Sequence, residues 1–131
     1  MKLILAIIRI AKMSDTKRAL AEAGLPSFTA MQVLGRGKGH GDLEKIRAAL
    51  QQRHIDPDHV KDVIEFVPEE PRLKSKRMIT LVVSDDKKEL AVETIMKANQ
   101  TGKSGDGKIF IIHALGSYSV HTGESGNITL D

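Results

Sequence analysis

Leu3-Ile4-Leu5-Ala6-Ile7-Ile8 and its echo in the second half of the chain, Met78-Ile79-Thr80-Leu81-Val82-Val83, decide the fold. Runs this short and this aliphatic are strands covered on both faces. Along the first run Leu3, Leu5 and Ile7 take one side and Ile4, Ala6 and Ile8 the other. Each run is followed by a helical pattern and then another strand. After the first, Met13, Thr16, Leu20 and Ala23 recur at helical spacing through Ala11–Ala23, and Gly24 with Pro26 ends the helix. Phe28–Leu34 then reads as a strand stopped by Gly35. After the second run, Lys87–Asn99 reads as a helix with Leu90, Ile95 and Ala98 inward, and Lys108–Ile112 as the fourth strand.

Two βαβ halves within 131 residues predict one α+β domain over 1–131, with the ferredoxin-like βαββαβ order. Helices in that order cover one face of the sheet, yet these strands are apolar on both. The second face therefore needs a cover. A second copy of the chain is the simplest one, and a long loop folded beneath the sheet is the alternative.

The 38–76 connector between the halves is far longer than usual. Asp42 is placed to cap a helix on which Leu43, Ile46 and Leu50 share a face, and a second apolar patch includes Ile64 and Phe66. That stripe either docks a partner or packs on the parent domain.

Composition narrows the function classes. The net charge is +3, and Lys and Arg are scattered among Asp and Glu without basic blocks, which argues against nucleic acid. The absence of cysteine excludes disulfides and thiolate metal sites. The five histidines form no ligand pattern, and no nucleophile has an activating base, so neither a metal site nor an enzyme is expected. The apolar start is short, charge returns at Arg9, and no run reaches membrane-spanning length, so a cytoplasmic protein without membrane insertion is expected.

Two glycine-lysine segments remain: Gly35-Arg36-Gly37-Lys38-Gly39-His40-Gly41, and Thr101-Gly102-Lys103-Ser104-Gly105-Asp106-Gly107-Lys108-Ile109-Phe110. Glycine lets backbone approach an anion and lysine supplies counter-charge, which points to a phosphorylated small molecule. Gly102-Lys103-Ser104 is no phosphate-binding P-loop, because Lys97 stands where its first glycine belongs. The first segment also reads as a simple turn; the second has more glycine and lysine than a turn requires.

These residues carry a resemblance. From the opening strand and Lys17–Gly24 through Val33–Lys38 to Thr101–Phe110, nearly the whole chain resembles the PII nitrogen-regulatory signal proteins. Gly35–Lys38 and Asn99–Gly102 are most similar to the nitrogenase-associated subgroup. The resemblance implies a homotrimer with ATP or ADP, and Mg with ATP, bound between subunits. It implies 2-oxoglutarate as a second effector, with Lys76 and Gly39 at its positions. It makes the long insertion a T-loop that docks a regulated target through residues such as Leu43, Ile46, Leu50, Ile64 and Phe66; nitrogenase, an ammonium transporter and another enzyme are the choices. By family position the nucleotide would meet Ser27, Phe28, Thr29, Gly35, Gly37, Lys38, Gly105, Asp106, Gly107 and Lys108.

The chain also departs from the family pattern. Ser119 and His121 replace the two phosphate-binding arginines, which weakens the expected triphosphate site. Gly39 replaces the glutamine that helps hold 2-oxoglutarate and magnesium, which puts that effector in doubt. Tyr118, the sole tyrosine, lies outside the loop, so uridylylation of a loop tyrosine is excluded. The loop is also longer than usual and partly helical in pattern. These departures support an alternative, a PII-like scaffold without ATP or 2-oxoglutarate control.

Overall fold

The computed structural model describes residues 1–39, 43–54 and 72–131. Two compact units are present: Met1–Gln32 with Lys76–Asp131, and Val33–Ser75. The elements run β1 (Lys2–Ile8), α1 (Met13–Glu22), β2 (Thr29–Gly35), α2 (Leu43–Gln52), β3 (Lys74–Val83), α3 (Lys88–Asn99) and β4 (Gly107–His113). A 3-10 turn leads into each of α1 and α3. The four strands form one sheet in the order β2-β3-β1-β4. β1 is antiparallel to both neighbours, with Ile4 opposite Leu81 on one side and Ile111 on the other. This is the expected ferredoxin-like α+β order.

The alternation within β1 sets the layers. Ile4, Ala6 and Ile8 are buried with Ile79, Leu81 and Val83 of β3, and they pack with Leu20 and Leu25 around α1 and with Ala91 and Ile95 of α3. Each buried Ile, Leu and Val among them contributes about 1.5–3 kcal/mol through its removal from water. Gly24, at φ +78°, lets the chain leave α1, so that the Leu25 amide donates back to the Leu20 carbonyl at 2.8 Å.

The other sheet face carries Leu3, Val82 and Ile112 in one register row and Leu5, Thr80 and Phe110 in the next. Leu3, Leu5, Met78 and Val82 are only half-buried, while Phe110 and Ile112 are 49% and 45% exposed. The two-sided reading of the strands therefore holds, and the apolar second face is wet in the single chain.

Two expectations need correction. The inward face of α3 is Ala91, Ile95 and Asn99, whereas Leu90 is exposed and Ala98 half-buried. A polar residue, Asn99, completes the stripe, so an apolar count placed it one position off. Its amide donates to the Thr16 hydroxyl at 2.9 Å, and Thr16 is fully buried on α1. Second, β3 begins at Lys74, not Met78, because its first four residues are polar and lack an apolar signature. Lys76 consequently sits within the strand. Along the α2 stripe, Ile46 and Leu50 are buried and Leu43 is 47% exposed. Asp42, Ile64 and Phe66 lie outside the described residues.

Candidate functional site

The loop joining α3 to β4 is built around one carboxylate. Asp106 accepts the amide of Thr101 at 2.8 Å, the amide of Gly102 at 3.1 Å and the Thr101 hydroxyl. The Arg9 guanidinium, from the residue after β1, makes an ion pair with the same carboxylate. Arg9 Nη2 also donates to the Ser104 carbonyl at 2.8 Å. Thr101 Oγ1 receives the Lys103 amide at 3.2 Å, which turns the start of the loop back on itself. The Thr101 donors, with smaller help from Arg9 and the Gly102 amide, hold the Asp106 carboxyl well below the usual carboxylate range.

Glycine permits the tight return. Gly107 has φ +118°, and a Cβ there would stand 1.9 Å from the Ile7 carbonyl oxygen, so only glycine brings the loop onto β1 at this point. Lys76 Nζ donates to the Gly105 carbonyl at 3.2 Å, and a Cβ on Gly105 would meet Arg9 Nη2 at 3.2 Å. The result is a folded backbone loop with Arg9 and Lys76 against it and two lysines of its own, Lys103 and Lys108. Such a surface attracts anions.

The other residues singled out in the sequence fall as follows. Gly105, Asp106, Gly107 and Lys108 share this loop, and Lys76 touches it. Ser27 Oγ donates to the Asp131 carboxylate at 2.8 Å, Phe28 packs against the core, and Thr29 is exposed at the start of β2. Gly35 is the last residue of β2, and Gly35, Gly37, Lys38 and Gly39 belong to the second unit. His40 and Gly41 lie outside the described residues.

Ser119 and His121 lie in a hairpin closed by the Ser119 amide to the Glu124 carbonyl at 2.9 Å and by the Tyr118–Ser125 bridge. The Ser119 hydroxyl accepts the Thr122 amide at 3.2 Å, so it helps build the turn. Among the described residues, no hydrogen bond or ion pair joins Ser119 or His121 to the 101–108 loop.

Sequence reasoning gave neither Arg9 nor Thr101 a role in holding the loop, although Thr101 opens the second glycine-lysine segment. In the sequence Arg9 marks only the return of charge after the apolar run, and its pairing with Asp106 comes from the sheet register. Thr101 preceding Asp106 by five residues carries no periodic signal. Among the described residues no group of His, Asp or Glu is clustered to hold a metal, and no helix is long and apolar enough to cross a membrane.

The family model for nitrogen regulatory protein P-II matches residues 1–124. The chain is 38% identical to a nitrogen fixation nifHD region GlnB-like protein 2 of Methanothermobacter marburgensis, over 99% of this chain and all of that protein. It is 39% identical to the protein of the same description from Methanococcus maripaludis, again over 99% and 100% of the two chains. A nitrogen regulatory protein P-II of Mesorhizobium japonicum is 38% identical over 96% of each chain.

Proposed function

The chain belongs to the P-II family of nitrogen regulatory signal proteins, and from that premise we propose that it acts as a cytoplasmic homotrimer that binds adenine nucleotide and regulates a nitrogen-metabolism partner through its long insertion. The observation that carries the nucleotide part is the 101–108 loop, a glycine-rich turn with Arg9 and Lys76 against it and Lys103 and Lys108 of its own. Its internal hydrogen bonds to Asp106 matter because each ordering contact made within the loop is one less to be supplied by a ligand. The trimer is supported by the wet apolar sheet face, which a second copy would cover. The same chemistry supports a binding role over a catalytic one: the carboxylate beside the Thr101 hydroxyl is Asp106, held well below the usual carboxylate range and so a weak base.

The names of the relatives support one kind of partner. Their names place several in nitrogen-fixation nifHD regions, which favours nitrogenase over an ammonium transporter as the target. Lys76, already against Gly105, is the residue here with the charge to hold a second, carboxylate effector such as 2-oxoglutarate; Gly39 brings no side chain to that task.

One observation favours a second reading, a scaffold indifferent to nucleotide. The Ser119 hydroxyl is engaged in its own turn, and neither Ser119 nor His121 supplies an arginine's permanent fork of donors. Calorimetric titration with ATP and ADP, each with magnesium and then with 2-oxoglutarate, separates the two. Micromolar binding strengthened by 2-oxoglutarate supports the sensor, and no heat from any combination supports the scaffold.

A further inference from the structure

Arg9 reaches the 101–107 loop from outside it and holds three of its points at once. Nη1 pairs with the Asp106 carboxylate near the exit and lies 3.4 Å from the Thr101 hydroxyl at the entrance, while Nη2 donates to the Ser104 carbonyl in between at 2.8 Å. Both groups of the ion pair are mostly shielded, with side-chain exposures of 29% for Arg9 and 24% for Asp106. The arrangement uses the planar fork. A lysine in the same place has the charge but a single point of attachment. Gly105 keeps the way clear, since any side chain there crowds Nη2.

We propose that Arg9 and Asp106 are positioning residues of the anion-binding loop, fixing its backbone through Ser104, Thr101 and Gly102 rather than touching the ligand; the inference rests on the nucleotide reading above. It has a sign that simple electrostatics does not share. Asp106 is a negative charge beside an anion site, so on charge alone its removal should tighten anion binding. If Asp106 instead holds the loop, its removal should weaken binding. Arg9→Lys divides the two views in the same way: charge alone predicts little change, and loss of the fork predicts weaker binding.

The test uses the full chain, wild type, Arg9→Lys and Asp106→Asn, titrated calorimetrically with magnesium-ADP. Alongside it, hydrogen exchange of the Thr101 and Gly102 amides is followed without nucleotide, with the Ile79 amide as a marker of the intact core. Expected for both variants are affinities about tenfold weaker, the weight of one charge-assisted hydrogen bond, with faster exchange at Thr101 and Gly102 and unchanged exchange at Ile79. Binding of Asp106→Asn as tight as wild type or tighter overturns the proposal, as does wild-type affinity with retained amide protection in Arg9→Lys. Should wild type give no heat with magnesium-ADP, the nucleotide reading fails and the ligand half of the inference falls with it. The loop-fixing half is then decided by exchange: faster at Thr101 and Gly102 in the variants supports it, and unchanged overturns it.

Discussion

Replacing Gly107 by alanine tests whether the loop must touch β1. At φ +118° any side chain adds about 1–3 kcal/mol of backbone strain. The new Cβ would also stand 1.9 Å from the Ile7 carbonyl oxygen and 3.1 Å from its carbon, so β4 must move away from β1 by more than an ångström at the Ile8–Gly107 pair. Overpacking of that kind adds about 1–3 kcal/mol. The two together give about 2–6 kcal/mol, a large part of a typical total stability of about 5–15 kcal/mol. At roughly 3 °C per kcal/mol, the melting temperature should fall by about 6–18 °C. Two controls isolate the causes. Gly24→Ala has positive φ but nothing within 4 Å and should cost about 1–2 kcal/mol. Gly116→Ala has neither feature and should stay within about 0.5 kcal/mol of wild type. Denaturant unfolding at one fixed protein concentration measures all three, because self-assembly would make stability concentration-dependent. If Gly107→Ala costs no more than Gly24→Ala, the close approach of the loop to β1 is refuted.

Phe110→Glu places a charge on the wet apolar face, and by light scattering it should lower the assembled mass to that of one chain; an unchanged mass would mean that this face is not where copies meet. Thr16→Val removes the acceptor of the Asn99 amide inside the core and should cost about 1–2 kcal/mol by denaturant unfolding; a neutral result would mean that the pair contributes little. The carboxyl carbon of Asp106 should titrate well below the ordinary aspartate value of 3.8, by NMR against pH. The sign follows from that lowering. The loop's stabilisation by Asp106 is complete above the unfolded value and disappears as pH falls through the folded one, so its order should persist at pH 4; titration at the ordinary value would contradict the hydrogen-bonded hub.

The sheet was legible because its strands are aliphatic where they are buried. Ile4, Ala6 and Ile8 against Leu3, Leu5 and Ile7 announce both a core face and a second apolar face, and the register bears out that division. Legibility failed where polar groups do structural work. Asn99 faces inward because Thr16 waits for it, and a count of apolar residues has no way to anticipate that pair. The first residues of β3 are charged because the strand runs past the core, so Met78 looked like its beginning. The candidate loop was visible as glycine and lysine, but its architecture was not. Arg9 and Asp106 stand 97 positions apart in the chain, and only the antiparallel pairing of β1 with β4 brings them together. Resemblance named the loop's residues; the hydrogen bonds add that Asp106 is the acceptor around which the loop turns.

The strand order also bears on how the protein is made. β1 occupies the middle of the sheet, yet both its neighbours lie in the second half of the chain, and its nearest partner in sequence is the pairing of Ile8 with Arg77. At about 5–20 residues per second, a ribosome needs seconds to deliver that partner. Meanwhile a six-residue aliphatic segment, apolar on both faces and with open backbone edges, has nothing of its own to pair with. Helix α1 can form from local contacts during that interval, but the sheet cannot. Folding that must close such long loops first is slow, and in the cell the interval is one in which a chaperone would find Leu3–Ile8 before β3 does.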